Sequence, residues 1–221
     1  MNKKLPVFDV VLDPNSDMGV NMIALVDDPA IGVNWIALQN ENVYNIFLAN
    51  TDLQELWGPI LIPNKLIYRT NLGGYPECYI RFSKEQIRII ADKFNEDLNQ
   101  TNIKFTHNGS LIDGYLSSNW VIDDKIKLNL DKFNLEDGTW FGIVKVKNTE
   151  FWLSEVKTGK LNGFSVEIEA NIIESSLKLS KDSLSDEIKV NMTIKILQDL
   201  CKDFSIDEKI NMTIKILQEL K

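Results

Sequence analysis

The chain contains a single histidine, His107, and 58 positions later a serine, Ser165, set in the run Leu161-Asn162-Gly163-Phe164-Ser165-Val166-Glu167-Ile168-Glu169. A serine hydroxyl is a weak nucleophile until a base takes its proton, and histidine is the side chain poised to do so near neutral pH. Serine chemistry with a histidine base must therefore use His107. Its setting suits that role. It ends the run Ile103-Lys104-Phe105-Thr106 and precedes the turn dipeptide Asn108-Gly109, so it stands at a strand tip entering a turn. Alternation in the second run puts Phe164, Val166 and Ile168 on one strand face and Ser165, Glu167 and Glu169 on the other. Taken singly, a histidine beside a turn and a serine in a strand are ordinary structural residues. Together they offer a hydroxyl, a base and carboxylates.

Composition removes several other chemistries. The formal net charge of −8 and pI near 4.8 argue against a nucleic-acid or anionic-membrane surface, which needs clustered Lys and Arg. No stretch approaches the roughly 18 to 20 apolar residues of a membrane span. The basic start Met1-Asn2-Lys3-Lys4 runs into Asp9 and Asp13 and reads poorly as a signal peptide. Cys78 and Cys201 are far apart and suit a reducing compartment, where the Asn-x-Ser/Thr triplets at Asn99, Asn108, Asn191 and Asn211 carry no glycosylation meaning. One histidine and two distant cysteines do not make a zinc site of the usual kind, so neither metal nor cofactor is expected. There is no Walker-A loop, no GxGxxG and no GxSxG elbow, and Asn71-Leu72-Gly73-Gly74 is a turn rather than a phosphate cradle.

The elements that must hold the two residues are short. Val7–Leu12, Val20–Val26, Trp35–Leu38, Tyr44–Leu48, Leu61–Lys65 and Leu66–Tyr68 read as strands closed by Pro, Gly and Asx turns, a pattern of barrels and sandwiches. Ser83-Lys84-Glu85-Gln86 is a capping box that opens a helix with Ile87, Ile90, Ala91 and Phe94 on one face and Leu98 a turn beyond. Tyr115–Ile122 and Thr139–Val146 read as further strands. Thr149 is expected to cap a short helix carrying Phe151, Trp152 and Val156, stopped at Gly159. With 221 residues, 44% hydrophobic and five Trp, the chain can bury a substantial core.

Beyond about Asn171 the composition turns polar. The expected division is 1–174 for the main domain, 175–185 for a linker and 186–221 for a tail. The tail repeats Asn191-Met192-Thr193-Ile194-Lys195-Ile196-Leu197-Gln198 at 211–218, a period of 20 read as helical. Two copies are too few for a free-standing solenoid, so an appended interaction or scaffold-like segment is expected.

The stretch Asn21-Met22-Ile23-Ala24-Leu25-Val26-Asp27-Asp28-Pro29-Ala30-Ile31 resembles the N-terminal signature of XkdF-like phage prohead proteases. So do Gly58 to Lys65, the Phe82-Ser83 helix entry, Thr106-His107-Asn108, Asp137-Gly138-Thr139-Trp140-Phe141, and Lys160 to Glu167. The likeness spans about residues 5 to 172. It implies an α+β fold, an assemblin-like β-barrel flanked by helices, and a capsid-maturation serine endopeptidase with Ser165 as nucleophile and His107 as base. Members of this family often carry an acid just before the tryptophan matched by Trp120, where Ser118 and Asn119 stand here. Asp113, Asp123, Glu167 and Glu169 are the remaining acids, with Glu167 favoured because it shares a strand face with Ser165. Oxyanion donors are expected to be backbone amides.

The resemblance also implies partners and place. Phage scaffold and major capsid proteins would be substrates inside the assembling prohead, in the host cytoplasm. Self-association is open, and neither nucleic acid nor membrane is expected as a partner. The alternative is a catalytically silent structural or scaffold-associated head protein that keeps the protease barrel.

Overall fold

Helix α1 (Lys84–Glu96) begins where the sequence says it should. The Ser83 hydroxyl accepts the Gln86 amide at 3.2 Å, and Ile87, Ile90, Ala91 and Phe94 are buried along one face. Two details differ from the capping-box expectation. The Gln86 side chain turns away from the cap and accepts the Leu12 amide at 2.7 Å, tying the helix to the end of a strand. Leu98 lies past the helix end in a left-handed conformation and is 77% exposed, so the apolar stripe stops at Phe94.

The computed structural model describes residues 4–27, 29–31, 53–123 and 135–180. The expected strands at Trp35–Leu38 and Tyr44–Leu48, and the repeat tail at 186–221, lie outside the described residues. The chain divides into a unit Leu5–Lys178 and a second comprising Met1–Lys4 with Leu179–Lys221. The first unit holds both α-helices and every described strand, apart from the outermost residues of the first and last strands.

Ten strands are present among the described residues: β1 (Lys4–Val11), β2 (Val20–Val26), β3 (Glu55–Leu61), β4 (Ile67–Leu72), β5 (Tyr75–Arg81), β6 (Ile103–Phe105), β7 (Gly114–Val121), β8 (Trp140–Val146), β9 (Gly163–Ile168) and β10 (Asn171–Ser180). A short helix α2 (Thr149–Phe151) continues into a π turn, Trp152–Val156. Its cap is Asn148, one residue earlier than expected; the Asn148 side chain accepts the Phe151 amide at 3.0 Å.

The strands form three open sheets, ordered β10-β1-β5-β4, β6-β2-β9 and β3-β8-β7. This corrects the expected closed barrel flanked by helices. The α+β class stands roughly, but sheets dominate and the described α-helices are only α1 and the brief α2. Short alternating strands identify a sheet protein. Closure depends on which distant strands pair and with what stagger, and alternation carries no such information. Strand β10 also runs on to Ser180, across the first residues of the stretch that composition reads as linker.

One hydrophobic core joins all three sheets and α1. Phe94 and Trp140 meet edge to face at 5.3 Å between ring centres, and Ile23, Leu56, Ile87 and Phe164 are fully buried with them. Truncating an aromatic of this kind costs about 3–5 kcal/mol through lost transfer energy and the cavity left behind.

Candidate active site

The site is built on β6-β2-β9. Strand β2 is central, parallel to β6 and antiparallel to β9, and the registers align three residues in a row: Lys104 opposite Ala24, and Ala24 opposite Ser165. Residues in register share a sheet face. On the opposite face Ile23, Leu25, Ile103 and Phe164 are fully buried, which fixes the sheet against the core and the register with it. Outer strands in such a sheet lie about 10 Å apart. A group on β6 can reach β9 only across β2, where Ala24 presents a single methyl group.

The turn after β6 makes that reach. Thr106 adopts φ 58°, a left-handed conformation that a β-branched residue enters at a cost of about 1–3 kcal/mol. Its amide donates to the Leu25 carbonyl at 3.0 Å, and the turn is closed by the Phe105 amide donating to Ser110 at 3.0 Å. Gly109 is required there, since a Cβ at that position would lie 1.6 Å from the Phe105 carbonyl oxygen. The strained turn carries His107 off the strand and over the sheet.

His107 Nε2 lies 2.9 Å from Ser165 Oγ, within hydrogen-bond reach. On the other side of the ring, Nδ1 faces Glu167 Oε1 at 3.4 Å. A proton held on Nδ1 by that carboxylate leaves the Nε2 lone pair free to accept the serine hydroxyl. Ser165 is only 5% exposed, whereas the His107 side chain is 45% and Glu167 30% exposed. The hydroxyl is therefore held in the sheet while the imidazole stands at its rim.

Sequence reasoning brings together Ser165, His107 and Glu167, and the fold places all three in one line. Two of the other acids are engaged elsewhere, and the third lies open. Asp113 pairs with Lys147 at 2.6 Å, Asp123 faces Arg88 at 3.9 Å, and Glu169 is exposed. Asn119, standing where an acid was expected, accepts from Asn95 and from the Trp140 indole, each at 3.0 Å. Ser165 is buried, unlike Glu169 on the same expected strand face. Two contributors were not singled out by the sequence. Ala24 is invisible because its value lies in being small, and Lys104 because its partners lie on another strand.

A cavity of about 410 Å³ opens beside the turn, lined by Phe105, Ser110, Leu111 and Phe151 among others. Neither Ser165 nor His107 lines it. Among the described residues no group of three or more His, Cys, Asp or Glu is placed to hold a metal ion, and no helix is long and apolar enough to cross a membrane.

A Ser–His couple with a carboxylate on the far ring nitrogen is an arrangement for nucleophilic acyl chemistry. Residues 79–174 match the model of the family described as "Putative phage serine protease XkdF". The match contains His107, Ser165 and Glu167 and excludes β1 to β4, so it is narrower than the resemblance read from residues 5 to 172. No curated protein and no solved structure matches the chain.

Proposed function

We propose that the chain is a serine endopeptidase of phage head maturation, with Ser165 as nucleophile, His107 as general base and Glu167 as the orienting acid. The observation that carries this reading is the 2.9 Å approach of Ser165 Oγ to Nε2 of the only histidine. Ser165 Oγ attacks the scissile carbonyl carbon while Nε2 takes its proton. The tetrahedral intermediate collapses as the imidazolium returns that proton to the leaving amine, giving an acyl-Ser165 ester. Water, deprotonated by the same Nε2, then hydrolyses the ester. Glu167 stabilises the imidazolium through Nδ1 and holds the ring in the productive tautomer. The substrates in this reading are segments of scaffold and major capsid protein, cut inside the assembling prohead.

The test is covalent labelling with a fluorophosphonate, then co-expression with the cognate scaffold and major capsid proteins and mass spectrometry of the fragments. Labelling lost in Ser165→Ala, with fragments absent in the same variant, supports the endopeptidase. A folded wild-type chain that neither labels nor yields fragments would establish the structural head protein instead.

A further inference from the structure

Glu167 can orient His107 only if Glu167 is itself oriented. We propose that Lys104 is the positioning residue that does this: its ammonium holds the Glu167 carboxylate and the His107 turn in one arrangement, and offsets the charge that the carboxylate would otherwise present to the imidazole. The inference rests on the Ser165–His107 reading but concerns a residue that makes and breaks no bond.

Register supplies the first support. Lys104 stands on β6 opposite Ala24, which stands opposite Ser165, so lysine and serine flank the same methyl group on one sheet face. Contacts supply the second. Lys104 Nζ lies 3.4 Å from each Glu167 carboxylate oxygen and 3.4 Å from the His107 carbonyl oxygen. One cation thus touches both the acid and the backbone of the base. Its side chain is 21% exposed, so water screens it only in part.

The chemistry follows from charge. A carboxylate alone beside Nδ1 favours the imidazolium, which cannot take a proton from serine. A cation sharing that carboxylate weakens the bias, while the carboxylate still fixes the ring. Among the described residues, the charged groups in contact with His107 are Glu167 from β9, at Nδ1, and Lys104 from β6, at the backbone carbonyl; β2 between them contributes Met22 and Ala24 to that face, neither of which titrates. A lysine serving only as a solvated surface partner would leave the imidazole's titration untouched, since such pairs contribute little.

The sole histidine makes the test direct, because an isotopically labelled full-length chain gives one set of imidazole resonances. In Lys104→Met the midpoint of the His107 titration should rise, the direction expected for losing one partly screened neighbouring cation. Lys104→Arg should titrate as wild type. In a Glu167→Gln background the shift caused by Lys104→Met should shrink, because the shared carboxylate is gone. The acid limb of cleavage should follow the resonance midpoint in each variant. If Lys104→Met does not fold, Lys104→Gln gives the same comparison. An unmoved or lowered midpoint in the neutral variant, or an arginine variant that titrates like methionine, would overturn the proposal. The titration needs no turnover. A wild-type chain without Ser165-dependent labelling would therefore sink the protease reading while leaving the Lys104 result to be read on its own.

Discussion

Two polar clusters lie within the same fold and are built in opposite ways. Behind β7 and β8, Asn119 and Asn95 exchange amide hydrogen bonds of 3.0 Å in both directions. Asn119 also accepts from the buried Trp140 indole at 3.0 Å, and Gln100 donates to Asn95. Its contacts are uncharged, short and reciprocal. On β6-β2-β9, the Ser165–His107 contact is short at 2.9 Å, but those joining His107 to Glu167 and Glu167 to Lys104 are 3.4 Å. That cluster is ionisable, partly open to water and slack at its outer links. Slackness of this kind is usual where contacts tighten only once a substrate is bound. A cluster that only holds the fold closes its hydrogen bonds; the longer outer links on β6-β2-β9 leave the room that the proposed proton transfer requires.

The sharpest way to break the contrast is to remove the short link. Ser165→Ala and His107→Ala should each lower cleavage by about 10³-fold or more and leave thermal unfolding near wild type, and the double variant should be no worse than either. A double variant clearly slower than the singles would mean that the two do not act as a unit. In the wild type, cleavage should fall on the acid side as His107 takes up a proton, because the imidazolium has no lone pair for the serine hydroxyl. A rate flat through the range in which histidines ordinarily titrate would point to a different base.

Glu167→Gln probes the outer link. It keeps the shape but removes the charge that stabilises the imidazolium, so kcat should fall by about 10²- to 10⁴-fold, with KM little changed. Stability should move by no more than about 1 kcal/mol, as for other partly exposed ion pairs. A loss confined to KM would place Glu167 in substrate binding rather than beside the base.

Local signals were legible in the sequence, and non-local ones were not. Strand β2 has the bounds that its flanking turn residues predict, β7 and β8 agree within a residue, and Ser83 caps α1 as its spacing requires. Chain-distant pairings escaped. Nothing near Gln86 announces that it will satisfy Leu12 instead of its own cap, 74 residues away. The open sheets and the burial of Ser165 belong to the same class, since each is decided by what packs opposite. In the site, alternation placed Ser165 and Glu167 on one face. The reach of His107 over Ala24 depended on a three-strand register that no single run encodes.

The structural cluster should answer in stability and stay silent in catalysis. Asn119→Ala leaves the Trp140 indole without its acceptor and strips Asn95 of both its bonds to that side chain, so unfolding free energy should fall by about 1–3 kcal/mol while kcat is unchanged at temperatures where the variant is folded. Asn119→Asp is more discriminating, because it places an acid just before Trp120, the position at which one was expected. The ionised carboxylate in that variant would still accept from Asn95 and Trp140, but its second oxygen would face the side-chain carbonyl oxygen of Asn95 where a donor now stands. Protonation restores a donor. The folded state therefore favours the protonated acid, raising its pKa above the unfolded value. The variant should be near wild type in stability at low pH and lose stability as pH rises through the unfolded value toward that raised one. Denaturant unfolding at several pH values reads the trend, and cleavage at neutral pH should gain nothing. Faster turnover in Asn119→Asp, or its rescue of Glu167→Gln, would show that this second cluster can supply the orienting acid and that the two regions are not divided between structure and catalysis.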